Sequence, residues 1–227
     1  MAHALDGATL RVDRARRHFE ELEETLLQFR KKNIDKVSIK YDPGPPQSLR
    51  VSFDKSLVVP LGFSLPLSDC IHNLRAALDY LVYELAFLDD KVIHEGTQFP
   101  IVDDPKDFQK KKGKSLSGLS DPHIREIELR QPYEGIEWTK TLRSISNPDK
   151  HRHLIVMKPQ RPPSFFAHLS GNIYDAPFNI EGQRMYVKKE DVFSIGFNDG
   201  ELSIIETLLL LIGRVGETID FFKPDFK

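Results

Sequence analysis

The stretch from Leu65 to Asp90, LPLSDCIHNLRAALDYLVYELAFLDD, constrains the fold more than any other part of the chain. After Pro66 it contains neither Gly nor Pro. At about 100° per residue, Leu67, Ile71, Leu74, Leu78, Leu81, Val82 and Leu85 fall on one broad apolar face of a helix. Pro66 suits the first turn, where its missing N–H costs nothing, and Ser64 is the expected cap. The opposite face carries Asp69, His72, Asn73, Arg75, Asp79, Tyr80, Tyr83 and Glu84. A solvated helix face is mostly Lys and Glu. This one is rich in side chains that form hydrogen bonds of fixed geometry, so much of it is expected to be covered. Asp69 with His72 or Asn73, His72 with Asp79, and Arg75 with Asp79 are spaced to share one side. Two readings follow: a hydrogen-bond network that fixes helix packing, or a binding or catalytic site.

The 227 residues suit one domain, taken as 1–227 with β-rich pieces inserted among helices. A hydrophobic share of 40% and a charged share of 29% are those of a globular protein. A formal net charge of −2 gives no global attraction to nucleic acid or to an anionic membrane. Cys70 is the one cysteine, which excludes an intramolecular disulfide and a Cys-rich zinc site. It falls near the edge of the apolar face, as a buried structural thiol would. The opening residues show no basic segment followed by an apolar one, so no signal peptide is expected. The most apolar run, Thr207 to Ile212, is too short to span a bilayer. A reducing cytoplasm is the expected compartment.

Leu5, Ala8, Val12, Ala15, Phe19, Leu22, Leu26 and Phe29 recur at spacings of three and four, predicting a helix from about Thr9 to Lys32 with a narrow apolar seam. Val37, Ile39 and Tyr41, then Leu49, Val51 and Phe53, alternate with polar residues around DPGPPQS. This predicts a hairpin, Ser38 to Asp54. Gln98 to Ile101 reads as extended, and Asp104-Pro105 opens a short helix holding Phe108. QKKKGKSLSGLSDP, with Lys110, Lys111, Lys112 and Lys114, reads as a solvated loop or, less simply, a phosphate contact. Asp121-Pro122 caps a helix that Gln131-Pro132-Tyr133 breaks. Trp138 to Ser146 is helical, and Asn147-Pro148 reads as a fresh helix start, with Asn as N-cap and Pro at the first position.

NPDKHRHL is the second chemical word. Asp149, Lys150, His151, Arg152 and His153 are consecutive ionisable residues. An anion could dock on the free N–H groups of such a helix start, with Lys150 and Arg152 beside it. His151 and His153 could share a metal only if extended, and no third ligand stands at a diagnostic spacing, so no metal or other cofactor is assigned. Candidate strands then follow at His153–Lys158, Ser164–Leu169, Arg184–Lys188 and Val192–Phe197. A last helix carries Leu202, Ile205, Leu209, Ile212 and Ile219, with Ser203 and Glu206 at capping-box spacing. Its Gly213 and Gly216 suggest close approach of another helix. The expected fold class is α+β: a bundle of long N-terminal, central and C-terminal helices packed with one antiparallel sheet of about five or six strands.

DCIHNLRAALDYL at Asp69 to Leu81, the Phe99-Pro100-Ile101 segment, Arg130-Gln131-Pro132-Tyr133 and NPDKHRHL together resemble a widespread family of uncharacterised bacterial proteins. That family carries an HNLRxALD helix and an NxDKHR segment in this order. The resemblance covers about Leu65 to Leu154 and implies that the two words belong to one structural unit. Asp69, His72, Arg75 and Asp79 are then expected to meet Asn147, Asp149, Lys150 and His151. A more distant likeness is to the HEPN superfamily of helical bundles, many of them ribonucleases with a helical Arg followed shortly by His. Arg143 stands too far from His151 for that pattern, and Arg161 and His168 lie in a strand-like stretch. Only the bundle architecture carries over.

Three functions compete. The first is a scaffold or interaction protein, as a monomer or a homodimer, whose polar words are structural. The second is a metal-independent ribonuclease or other phosphate-directed enzyme. His72 or His151 would be its acid/base, Asp79 or Asp69 would orient the imidazole, and Arg75, Asn147, Lys150 and Arg152 would hold phosphate. The third is a metal-dependent hydrolase using Asp69, His72, Asp149 and His151. RNA is a partner only under the second, and no membrane partner is expected.

Overall fold

The computed structural model describes residues 3–42, 48–92, 94–150, 155–161, 177–180, 183–186, 188–197 and 202–226. Within these, only the backbone is described for 41–42, 48–49, 147–150, 177–180 and 183–186. The helices are α1 (Asp6–Lys32), α2 (Ser64–Asp90), α3 (Pro105–Ser115), α4 (Asp121–Glu128), α5 (Glu137–Lys150), α6 (Lys189–Val192) and α7 (Ile204–Phe222). The strands are β1 (Val37–Asp42), β2 (Ser48–Phe53), β3 (Met157–Gln160), β4 (Pro177–Ile180), β5 (Gln183–Tyr186) and β6 (Ser194–Phe197).

The chain groups into two compact units. One comprises Met1–Phe19, Pro66–Leu154 and Leu208–Lys227, the other Glu20–Leu65 and Ile155–Thr207. In the first, the predicted apolar face of α2 is buried from Leu67 through Leu85. Leu5, just before α1, Ala8, Val12 and Ala15 of α1 and Leu208, Leu211, Val215, Ile219 and Phe222 of α7 are buried as well. Removal of these side chains from water is the main stabilising term, at about 1.5–3 kcal/mol for each large one. Gly7 of α1 faces the Tyr80 ring, which would stand 3.0 Å from a Cβ at that position. In the second unit, Phe29 meets Phe63 edge-on at 5.7 Å, and Phe53 lies 5.6 Å from Phe193. Around these pack the buried Leu22, Leu26, Val37, Leu57, Val59 and Ile195.

The expected sheet of five or six strands is not present among the described residues. The strands pair only in twos, β1 with β2, β3 with β6 and β4 with β5, all antiparallel. β3 and β4 each contain a proline, Pro159 and Pro177. A proline has no N–H to give a ladder, which confines such strands to edges. Four-residue strands interrupted in this way leave the protein predominantly helical. The candidate strand Ser164–Leu169 lies outside the described residues. Val192 belongs to α6 rather than to a strand.

Other expectations are corrected locally. The lysine-rich run is not a loop: α3 continues through Lys112 and Lys114 to Ser115. Asp104 starts it by accepting the Lys106 N–H at 2.7 Å, with Pro105 at the first position. Asn147-Pro148 does not begin a helix, because α5 runs on from Glu137 to Lys150. The anion site expected at a helix start there is therefore lost. Ser64 does not cap α2; it is the first residue of that helix and donates its hydroxyl to the Ile155 carbonyl at 2.5 Å. Gly213 and Gly216 mark no close helix approach, since a Cβ on either would meet nothing within 4 Å.

Candidate functional site

The polar face of α2 divides into covered and open parts. Asp69, His72, Tyr80 and Tyr83 are exposed, so the expectation that the face is largely covered fails for them. Asn73 is buried. Its amide donates to the Asp69 carbonyl at 2.8 Å and its oxygen accepts from Arg11 at 3.2 Å. The Arg11 guanidinium also lies 5.2 Å from the centre of the Tyr80 ring. These contacts tie the start of α1 to the middle of α2.

Arg75 and Asp79 stand one helical turn apart, 3.8 Å between Nη2 and Oδ1. They act on one residue of the extended segment that follows. Asp79 Oδ1 accepts the Phe99 N–H at 2.9 Å, and Arg75 Nη2 donates to the Phe99 carbonyl at 3.1 Å. Phe99 itself is fully buried. A backbone N–H or C=O removed from water must be paired, and among the described residues no strand pairs with Phe99. Two side chains of α2 supply what a strand would.

Gln131 completes this clamp from the other side. It is fully buried. Its Nε2 donates to the Pro100 carbonyl at 2.9 Å and the Ile127 carbonyl at 3.1 Å, and its Oε1 accepts the Val102 N–H at 3.1 Å. One amide thus joins the end of α4 to residues 100–102. The segment from Phe99 to Val102 is therefore held by Arg75, Asp79 and Gln131 in place of a sheet. In the sequence Gln131 stands in a helix-breaking triplet and in the Arg130-Gln131-Pro132-Tyr133 segment of the resemblance, with no role of its own. The available signal was an uncharged amide beside Pro132, able to donate and accept at once.

Arg75 is not fully satisfied. Among the described residues, its Nε and Nη1 are buried without a hydrogen-bond partner. Burial pulls its pKa down, and the nearby Asp79 pushes it back up. The Asn147, Asp149 and Lys150 side chains, with His151 and Arg152 entire, lie outside the described part. The expected meeting of the two words falls outside the described residues. Cys70 is completely buried, and burial pushes its thiol up to about 12. A thiol in that state is not a nucleophile.

A second polar group sits at the end of α2. Asp89 accepts the Ser120 N–H at 2.7 Å and lies 2.6 Å from His123 Nδ1. His123 Nε2 is 3.4 Å from Asp225. The first turn of α4 and the C-terminal tail are joined there to α2.

Among the described residues, no group of three or more His, Cys, Asp or Glu side chains is arranged to hold a metal ion. No described helix is long and apolar enough to cross a membrane. Compared with protein-family models, curated proteins and solved structures, the chain matches none.

Proposed function

We infer that the chain is a scaffold or interaction module in which the HNLRAALD helix does structural work. The observation that carries this reading is the clamp on Phe99. Arg75 Nη2 and Asp79 Oδ1 are engaged on the backbone of one buried residue, at 3.1 Å and 2.9 Å, which supports a structural role for the pair. His72, the other half of the hypothetical catalytic pair, is exposed on the same helix. Beside it, Tyr80, Tyr83 and Phe87 form a stripe at helical spacing, 41%, 36% and 45% exposed. Aromatic side chains held open on a rigid helix are the residue types that protein interfaces favour.

The reading is tested with Asp79→Ala and His72→Ala. Asp79→Ala is expected to lower the melting temperature, and His72→Ala to leave it unchanged. Neither variant nor wild type should cleave single-stranded RNA or a phosphodiester. RNA cleavage by the wild-type protein that His72→Ala abolishes would replace the scaffold reading by the ribonuclease one.

A further inference from the structure

Beyond the clamp, three side chains at the C-terminal end of α2 form a chain of a different kind. Asp90, in the last turn of α2, lies 2.5 Å from His94 Nε2. The other ring nitrogen, His94 Nδ1, lies 3.2 Å from Ser117 Oγ, in the turn after α3. A carboxylate can only accept, so in the neutral imidazole Nε2 carries the proton and gives it to Asp90. Nδ1 is then the lone pair that receives the Ser117 hydroxyl proton. Hydroxyl, imidazole and carboxylate stand in the order that nucleophilic catalysis requires: a nucleophile, the base that deprotonates it, and the group that fixes the tautomer of the base.

The ring is held in place from a third direction. Gly118 follows Ser117 with φ +85°, a left-handed conformation that glycine adopts freely. A Cβ there would collide with the His94 imidazole. The missing side chain is the seat of the ring. Ser117 and Gly118 are half-buried, and the His94 side chain keeps 23% of its surface open, so small molecules can reach the pair. A helix-end clip of His94 on Asp90 would need one ring nitrogen. The second nitrogen is turned to a hydroxyl.

Charge near the site indicates the substrate class. The Lys114 side chain passes over Gly96, two residues beyond His94, with its Cε 3.1 Å from where a Cβ would stand. Lys114 is exposed at the end of the lysine-rich α3, three residues before Ser117. We propose that Ser117, His94 and Asp90 form a nucleophilic serine site for small carboxylic esters bearing an anionic group. Ser117 Oγ attacks the ester carbonyl carbon while its proton passes to His94 Nδ1. The tetrahedral adduct collapses, the C–O bond to the alcohol breaks, and the departing oxygen takes the proton from Nδ1. Water, deprotonated by the same nitrogen, then cleaves the acyl-serine to a carboxylic acid and restores the hydroxyl.

The test uses the full chain, a fluorophosphonate probe and two esters, para-nitrophenyl acetate and para-nitrophenyl hydrogen succinate. The probe should add one phosphonyl group, mapped to Ser117. Ser117→Ala should abolish labelling and lower ester hydrolysis about a hundredfold while melting at the wild-type temperature. Asp90→Asn and Gly118→Ala should each slow labelling, and Ser120→Ala should not. The succinate ester should react faster than the acetate, and added salt should shrink the difference. Labelling of residues other than Ser117, or hydrolysis undiminished in a folded Ser117→Ala, overturns the site. Equal rates for the two esters at low salt overturn the substrate class.

Discussion

The Asp79 carboxylate and the Phe99 backbone N–H are joined at 2.9 Å, and Arg75 closes on the carbonyl of that same residue at 3.1 Å. A helix thereby holds an extended segment by both polar groups of one residue. The pairing needs a short acceptor and a long donor one turn apart. Asp and Arg at i+4 and i meet that requirement, with the ion pair between them keeping the two groups aligned.

Removing the acceptor tests the clamp. Asp79→Ala leaves the Phe99 N–H without its partner and the partly satisfied Arg75 without its carboxylate. The expected cost is about 1–3 kcal/mol. For a chain of this size that is a fall of about 2–4 °C per kcal/mol. Asp79→Asn keeps an acceptor oxygen and should cost less. A thermal scan in which Asp79→Ala melts with wild type would show that the hydrogen bond contributes nothing to stability.

Gln131 carries more than its neighbours in sequence suggest. Gln131→Leu keeps the bulk but strands the Val102 N–H and the Pro100 carbonyl against a fully buried side chain, while the Ile127 carbonyl keeps the Arg130 N–H at 3.2 Å. Two buried groups left unpaired should cost about 2–4 kcal/mol. Gln131→Glu should be no better, because a carboxylate cannot donate to the two carbonyls. Denaturant midpoints for both variants check this. A Gln131→Leu protein as stable as wild type would mean that the segment finds other partners.

Much of the fold was legible wherever apolar spacing alone decided it. The face of α2 and the seam of α1 followed from periodicity, because burying those side chains outweighs every local preference. The face expected for α7 did not, since Leu202 and Leu209 are exposed while Leu208, Leu211 and Val215 are buried beside Ile212 and Ile219. The misreadings fell where local signals competed with packing. Asn147-Pro148 has the composition of a helix start, yet α5 passes through it, so tertiary context overrode a local start signal. Gly113 among four lysines suggested a loop, yet Phe108 and Ser115 are buried on one side of α3 and hold the turns between them. The sheet was overestimated because alternation shows a strand but not its neighbours. Of the candidate site, Arg75 and Asp79 were found together, whereas their target, the backbone of one residue, has no signature in sequence. Ser117 and His94 meet only through the fold, so no spacing marked them.

Glycine in α3 and α7 offers a gain in stability. A Cβ on Gly113 or Gly213 would meet nothing within 4 Å, and both residues are exposed. Gly113→Ala and Gly213→Ala should each stabilise the protein by about 0.5–1 kcal/mol, by removing backbone freedom from the unfolded chain and favouring the helix. The two sites lie on separate helices, so the gains should add in the double variant. A fall in melting temperature for Gly213→Ala would reveal a close approach at that position and restore the packing role expected of it.

Asp89 predicts the acid limb of stability. Burial works to raise its pKa, but the Ser120 N–H and His123 lower it by more, and the folded-state value lies below the ordinary one. A carboxylate depressed on folding contributes stability that is complete above its unfolded pKa, about 3.9, and is lost as pH falls through the folded value. Asp89→Asn cannot ionise and lacks this contribution at every pH. The melting temperatures of wild type and Asp89→Asn should therefore differ at pH 7 and draw together as the pH falls below about 4, where the wild-type carboxylate takes up its proton. A gap that stays constant from pH 7 down to about 2.5 would mean that Asp89 holds Ser120 and His123 equally well when protonated.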